Sequence, residues 1–365
     1  MVYILTFAVS VWLLWLGDKT KGTAHHVLII LGLILPILLA GLRDMSIGTD
    51  TGGYPIDVFD FCQSTNSLLL ALVSYLDVES GYVALAWICT QISSSFNFFL
   101  VVTHSIILVT LFFAFRRFDI NVALAYLIFF LIYFCGSMNA VRQFLAMPFC
   151  LFSFAELIQK QYKKAILLFI IAFLFHRSSF FFLTIICLYY LCANHFNLMK
   201  QKRMFLFVTL LVVVGLTMFV ELLQFAINIG IAKAEYMDRY GSEDQYGAGL
   251  PMSLLTINFF NFMVYYFLTK HVKVTPFLLF SKYVMLACVL LCFAGLISTF
   301  AVRLDHYFMI TGIVCTVYAL QMNKYHYLQL YLLFYIFYWY MVVIVANLGD
   351  TYPYKSVILD SFLGL

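Results

Sequence analysis

The chain has 365 residues, of which 64% are hydrophobic and 10% are charged, and its formal net charge is +4. A soluble domain has about 25% charged residues, so this composition excludes a soluble globular protein and indicates a surface that faces lipid. No dense basic cluster occurs along the chain, which argues against nucleic acid as a partner.

Continuous apolar runs predict membrane-spanning α-helices, because the strands of a membrane barrel alternate apolar and polar residues. The run at residues 2–16 has no basic segment before it and no cleavage site after it, so we expect a retained first span rather than a signal peptide. Eleven further spans are predicted, at residues 26–42, 96–115, 121–135, 137–158, 165–175, 179–192, 204–222, 250–269, 283–300, 305–321 and 328–346. The expected fold class is an all-α polytopic membrane protein of about 12 transmembrane helices, with residues 1–365 forming a single integral membrane domain.

The distribution of charge predicts which connections face the cytoplasm. We place residues 80–95 as a helix on the membrane surface, because counting them as a span would reverse every later connection. On this topology 14 of the 21 basic residues lie on one side and 14 of the 17 acidic residues lie on the other. Since basic connections favour the cytoplasm, both termini and two long loops, at about 43–95 and 228–249, are expected on the outer side of the membrane.

The nine cysteines contain no CxxC pair, and eight of them lie within apolar runs. Their small side chains suit the packing of helices. We therefore expect neither a disulfide framework nor a zinc site.

Four arginines oppose the charge trend, because they lie at the predicted outer ends of separate helices: Arg43, Arg142, Arg177 and Arg303. An arginine within a membrane helix is costly, so Arg142, in an otherwise apolar run, needs an anionic partner. One guanidinium group can donate hydrogen bonds to two phosphate oxygens at once. Four arginines at one rim therefore indicate an anion site. The alternative is that each arginine reaches lipid headgroups or pairs with a structural carboxylate.

The segment RDMSIGTDTGGY, residues 43–54, gathers polar groups directly after the second span. Its glycines permit tight turns close to a ligand, and its tyrosine offers a ring that stacks on sugar. An ordinary polar loop explains this composition equally well. The side chains available to a ligand are those of Asp44, Thr49, Asp50, Thr51 and Tyr54.

Histidine and carboxylate side chains near these arginines are candidates for proton transfer. His176 precedes Arg177 in a predicted turn, where it either orients a diphosphate, moves a proton, or simply forms the turn. Glu79, Asp305 and Asp50 are the nearest outer carboxylates. Each of them is either a general base for a sugar hydroxyl or a counter-ion of an arginine, and the sequence does not rank them.

Six motifs in chain order resemble those of the EpsG/Wzy-type polysaccharide polymerases. They are R-x4-G-T-D-T-x2-Y at 43–54, DVESGY at 77–82, NAVRQFLA at 139–146, HRSS at 176–179, RLDHY at 303–307 and YPY at 352–354. The resemblance extends from about residue 40 to residue 355. It implies a metal-independent glycosyltransferase of GT-C-like architecture that needs no cofactor.

Such an enzyme would use undecaprenyl-diphosphate-linked oligosaccharide as both donor and acceptor, at the periplasmic face of the bacterial inner membrane. The product would be O-antigen or a related surface polysaccharide. Membrane lipid, a chain-length regulator and a flippase are the partners that the resemblance suggests. The candidate catalytic residues are Arg43, Asp50, Arg142, His176 and Arg303, and the candidate substrate-binding residues are Asp44, Thr49, Thr51, Tyr54, Glu79, Asn139, Gln143, Arg177, Asp305, Tyr307, Tyr352 and Tyr354.

Among these residues, Arg43, Arg142 and Arg303 are expected to converge on one outward cavity and to hold the leaving diphosphate. Three alternatives stay open. An O-antigen ligase-type glycosyltransferase would share the donor chemistry. A flippase for lipid-linked oligosaccharide would carry charges through the depth of the membrane. A membrane-bound acyltransferase would need a histidine deep in a helix, and His104 is the candidate for that role.

Overall fold

The computed structural model describes residues 2–204, 252–294 and 299–363, together with isolated positions between 206 and 228. Within these ranges every regular element is helical, as the continuous apolar runs predict. The chain divides into two compact units. Unit 1 comprises Met1–Phe180 and Gln329–Leu365, and unit 2 comprises Phe181–Leu328.

The helices of unit 1 form most of the first half of the chain. They are α1 (Val2–Lys19), α2 (Gly22–Gly41), α3 (Tyr54–Ser64), α4 (Leu68–Ser74), α5 (Ser80–Thr90), α6 (Phe96–Arg117), α7 (Val122–Ile132), α8 (Phe134–Ser137), α9 (Val141–Ile158) and α10 (Tyr162–Phe175). A 3-10 turn follows at Arg177–Phe181.

Unit 2 begins within that turn, and the chain later returns to unit 1. The helices of unit 2 are α11 (Phe182–Asn194), α12 (Phe196–Met199), α13 (Met252–Thr269), α14 (Pro276–Ala294) and α15 (Thr299–Met322). The returning segment consists of α16 (Leu328–Trp339), a π-helical turn (Tyr340–Val345) and α17 (Val357–Leu363).

Eight helical segments of the described residues are long and apolar enough to cross a membrane. They are α1, α2, α6, α9, Arg177–Asn194, α13, Pro276–Phe293 and Leu328–Val345. The chain is therefore a polytopic α-helical membrane protein, while the number twelve stays a prediction. The predicted span at 204–222 falls almost entirely outside the described residues, and the predicted loop at 228–249 lies outside them.

Two predicted spans are shorter than a membrane crossing requires. Each nevertheless runs between the two polar ends of unit 1, one near Glu156 and the other near Glu79. Helix α10 has 14 residues, which rise about 21 Å, whereas a bilayer core is about 30 Å thick. At its start Lys164 contacts Glu156, and directly after its end His176 contacts Glu79. Helix α7, with 11 residues, is extended toward the same end by α8 after a break at Tyr133.

The predicted outer loop at 43–95 contains three short helices, α3 to α5. Helix α5 has 11 residues, about 16 Å, and its placement on the membrane surface stays a prediction. Buried residues on α3, such as Val58 and Phe59, pack toward buried residues on α5, such as Val83 and Ala86. The segment is therefore a packed layer, and its apolar side chains also contact α6, where the ring of Phe59 lies 5.7 Å from that of Phe99.

At one end of unit 1 a buried carboxylate joins three helices. Glu156 is 1% exposed, and its two oxygens lie 2.6 Å from Lys164 Nζ and 3.0 Å from Arg117 Nη2. Asp18 and Arg116 form a second pair at 3.1 Å, but both of these side chains are much more exposed. The polar contacts on this side of unit 1 are therefore made where α1, α6 and α9 end and where α10 begins. We call this side the Glu156 end.

The substitution Glu156→Gln should lower the free energy of unfolding by about 1–3 kcal/mol, because the buried acceptor of two cations loses its charge. Asp18→Asn is the matched control, and an exposed pair of that kind contributes only about 0–1 kcal/mol. Thermal unfolding of the purified variants in one detergent measures both effects. Equal losses for the two substitutions would contradict a special role for Glu156.

Candidate functional site

At the opposite end of unit 1, one carboxylate binds side chains from two other parts of the chain. Glu79 precedes α5, Arg142 is the second residue of α9, and His176 follows the last residue of α10. The Glu79 carboxylate lies 2.6 Å from Arg142 Nη1 and 2.8 Å from His176 Nδ1. Arg177 also donates its backbone N–H to Glu79 at 3.2 Å. The ring of Tyr54 also lies against the guanidinium of Arg142. We call Glu79, Arg142, His176 and Tyr54 the Glu79 cluster.

Local backbone features bring these residues together. His176 adopts an extended backbone that ends α10, and its ring contacts Glu79. Gly81, in the first turn of α5, lies against the carbonyl of Leu174, where an added Cβ would come within 2.7 Å of the oxygen. The glycine therefore allows α5 to approach α10 closely enough for Glu79 to reach the histidine.

The charges around Glu79 keep it ionised. Burial alone would raise the pKa of Glu79, but the hydrogen bond with His176 and the charges of His176 and Arg142 lower it to about 2. Both oxygens are already engaged by donors. A carboxylate of this kind is a weak base, so the geometry favours the counter-ion among the two roles that the sequence left open for Glu79.

Arg142 is held on two sides but stays accessible. Its guanidinium carbon lies 4.4 Å from the centroid of the Tyr54 ring, which is a cation–π contact, while Nη1 binds Glu79. The Arg142 side chain is still 23% exposed. The cluster therefore presents a pre-oriented guanidinium edge beside a ring, an arrangement suited to an anionic ligand.

A cavity of about 160 Å³ lies beside the Glu79 cluster. Its polar lining includes Glu79 and Arg177, and Arg177 Nη2 donates to the carbonyl of Leu76 at 3.0 Å. Its apolar lining comes from residues near α4 and the end of α10, including Leu72 and Phe173. The cavity thus joins a charged edge to an apolar wall.

Arg43 occupies a different environment from Arg142. It is 1% exposed, and its guanidinium donates to the carbonyl of Met138 at 3.1 Å, to the Thr51 hydroxyl at 3.3 Å and to the carbonyl of Ala40. Burial lowers the pKa of Arg43 to about 10, which leaves it charged at neutral pH. Arg43 is therefore enclosed by the carbonyls and the hydroxyl that it binds, and its contact with a diphosphate stays a prediction.

The loop after α2 is bound to the segment before α17. Gly48 N–H donates to the carbonyl of Asp350, and Asp44 N–H donates to the carbonyl of Lys355, both at 2.9 Å. Asn139 accepts from the Thr49 hydroxyl and donates to the carbonyl of Gly349, both at 3.2 Å. Two of the sequence motifs, at 43–54 and 139–146, and the residues that flank YPY therefore meet in one hydrogen-bonded layer.

The remaining predicted residues of unit 1 lie in or beside this layer. Asp44 accepts from the Ser46 N–H, which lowers the pKa of the carboxyl group. Asp50 is half-buried in the same loop and Gln143 is buried in α9. Tyr354 donates its hydroxyl to the carbonyl of Leu39 at 2.8 Å, whereas the side chain of Tyr352 is exposed.

The late motif RLDHY lies in unit 2. Asp305 and Tyr307 are buried within α15, and Asn258 of α13 donates to Asp305 at 2.8 Å. The side chain of Arg303 lies outside the described residues. Asp305 thus contacts an amide from a neighbouring helix and is enclosed, and its contact with substrate stays a prediction.

Two asparagines carry contacts that the sequence analysis did not single out. Asn97, at the start of α6, donates to the carbonyls of Gly41 and Arg43 at 3.0 and 2.9 Å. Asn258 binds Asp305 from within an apolar helix. An amide inside an apolar run was the available signal, because such a group needs a hydrogen-bond partner in lipid.

No group of three or more His, Cys, Asp and Glu residues in the described ranges is arranged to hold a metal ion. A family model described as EpsG family matches residues 26–356. The match includes the whole Glu79 cluster. No curated protein and no solved structure matches the chain.

Gly349→Ala should lower the free energy of unfolding by about 1–3 kcal/mol. Gly349 has a φ of +85°, and an added Cβ would overlap the side-chain amide of Asn139. Gly52→Ala is the matched control, since its nearest neighbour would be the carbonyl of Met45 at 3.7 Å. Thermal unfolding compares the variants, and equal stability of the two would contradict the close fit of the layer.

Proposed function

The chain belongs to the EpsG family, and on that premise we propose that it polymerises undecaprenyl-diphosphate-linked oligosaccharide repeat units. The reaction would take place at the periplasmic face of the bacterial inner membrane, on a GT-C-like architecture, and would make O-antigen or a related polysaccharide. The observation that carries the proposal is the Glu79 cluster, where an accessible arginine and a histidine share one buried carboxylate.

The proposed reaction joins a sugar hydroxyl to the first carbon of the donor chain. The hydroxyl oxygen of the incoming unit bonds to that carbon, the bond from the carbon to the carrier diphosphate breaks, and the hydroxyl proton passes to a base. Negative charge therefore grows on the leaving diphosphate. A cation that is already oriented there stabilises the transition state more than the ground state.

Arg142 suits the role of diphosphate ligand. Tyr54 and Glu79 fix its orientation, and part of the side chain is exposed. Arg177, an exposed residue that lines the neighbouring cavity, adds a second guanidinium. Two arginines and one carboxylate leave one net positive charge for an anion. Arg43, being buried, acts in this proposal as a positioning residue for the 43–54 loop.

His176 suits the role of the base. A carboxylate accepts the hydrogen bond at Nδ1, so the neutral ring carries its proton there and Nε2 is the acceptor. Glu79 would orient the ring and stabilise its charged form, as carboxylates do beside catalytic histidines. Glu79 is therefore proposed as a positioning residue rather than as the base.

The cavity beside the cluster suits the first part of the lipid carrier. Its apolar wall lies next to Arg177 and Glu79, just as an isoprenoid chain lies next to its diphosphate. The neighbouring α4 exposes apolar side chains, with Leu69 72% exposed. A lipid tail could therefore reach the cavity along an apolar surface.

A strain that lacks this protein should accumulate carrier lipid bearing single repeat units, which a gel of lipid-linked glycans detects. Polymer that remains on its carrier without transfer to lipid A would indicate the ligase-type alternative. Single units that stay inaccessible from the periplasm would indicate a flippase. Normal polymer in that strain would contradict all three activities.

Arg142→Ala should lower the polymerisation rate by about 10²–10³-fold, and Arg142→Lys should restore little, because lysine lacks the planar fork. Arg116→Ala, at the Glu156 end, is the matched control and should keep the normal rate. The rates are measured on purified lipid-linked repeat units after membrane expression has been checked. A normal rate for expressed Arg142→Ala would make Arg142 a structural counter-ion only.

A further inference from the structure

A second cavity lies in unit 2, and the proposed reaction does not use it. Its volume is about 220 Å³. It lies where the chain leaves α12 and where α14 begins, and it is lined by Met199, Lys200, Lys202, Leu206, Leu279 and Lys282. We call it the lysine cavity.

The charged residues that line this cavity are all basic. Residues 181–204 and 252–294 contain six basic residues and no acidic residue. Three of the six line the cavity, namely Lys200, Lys202 and Lys282. Bringing like charges together is unfavourable unless an anion lies among them. The cavity therefore has the charge pattern of an anion site.

The walls of the cavity are apolar and well supported. Met199 is buried, and its carbonyl accepts from the hydroxyl of Tyr283 at 2.7 Å, which ties the end of α12 to α14. Leu279 is also buried. A soluble anion gains nothing from such walls, whereas an anion with an apolar body is held by them as well as by the lysines.

The cavity lies near the start of a candidate membrane span. Helix α14 is a candidate membrane span that starts at Pro276, so Lys282 lies six residues, about 9 Å, inside its start. A lysine at that depth extends its ammonium group toward the interface. Nearby Leu206 and Phe207 are exposed, as is typical of side chains that face acyl chains.

From these observations we propose that the lysine cavity binds the headgroup of an anionic phospholipid. Its phosphodiester would lie among Lys200, Lys202 and Lys282, and its glycerol and acyl chains would lie against Leu206 and Leu279. Basic pockets between membrane helices bind anionic headgroups in this way. The lipid is a bound stabiliser, distinct from the lipid-linked sugar of the proposed reaction.

The test uses the full chain in detergent, titrated with short-chain phosphatidylglycerol and, in parallel, with phosphatidylcholine. Phosphatidylglycerol should raise the thermal midpoint at lower concentration than phosphatidylcholine. The substitutions Lys202→Gln, Lys200→Gln and Lys282→Gln are added one after another to the same chain. Each added substitution should weaken the preference about fivefold, the equivalent of about 1 kcal/mol per basic residue. Replacement of all three by arginine should keep it.

The matched control is the double variant Lys270→Gln/Lys273→Gln, which removes basic residues of the same unit from outside the cavity and should keep the preference. An equal loss in the control would overturn the proposal, because general surface charge would explain it. A midpoint shift reproduced by inorganic phosphate alone would also overturn it in favour of a soluble anion. Lys202 is exposed, so Lys202→Gln should fold even where the triple variant does not.

Discussion

The polar end of unit 1 depends on the hydrogen bonds and the ion pair of one carboxylate. Glu79 binds the side chains of Arg142 and His176 and the backbone of Arg177. In lipid the hydrophobic effect gives helices little preference for one alignment over another, because lipid tails are as apolar as the side chains. An ion pair has a much narrower optimum. It therefore fixes the start of α9 and the end of α10 at one level, and the proposed chemistry follows from that alignment.

Two arginines of unit 1 illustrate opposite ways to accommodate a buried charge. Arg43 is surrounded by backbone carbonyls and a hydroxyl, so its charge is spread over dipoles and serves to join α2, its following loop and the end of α8. Arg142 has a full counter-charge and an exposed edge. Only the second arrangement leaves a guanidinium able to exchange water for a ligand, so the chemical difference comes from the partners and not from the residue type.

The helical fold could be predicted from apolar runs because lipid forces each backbone group to pair within its own segment. The need of Arg142 for an anionic partner could also be predicted, since a lone charge there is costly. The sequence could not identify Glu79, rather than Asp50 or Asp305, as the anionic partner of Arg142. That partner depends on how closely Gly81 lets α5 approach α10. Nor could it predict the burial of Arg43, whose partners include the carbonyl of Met138, far along the chain and carrying no sequence signal.

The bonds between the 43–54 loop and the segment before α17 have a consequence for biogenesis. Gly48 and Asp44 emerge from the ribosome early, but their partners at Asp350 and Lys355 are made some 300 residues later. The loop therefore remains incomplete while the intervening helices enter the membrane. A prematurely terminated chain would lack this layer, so the cell would gain a complete site only from chains whose synthesis has passed that point.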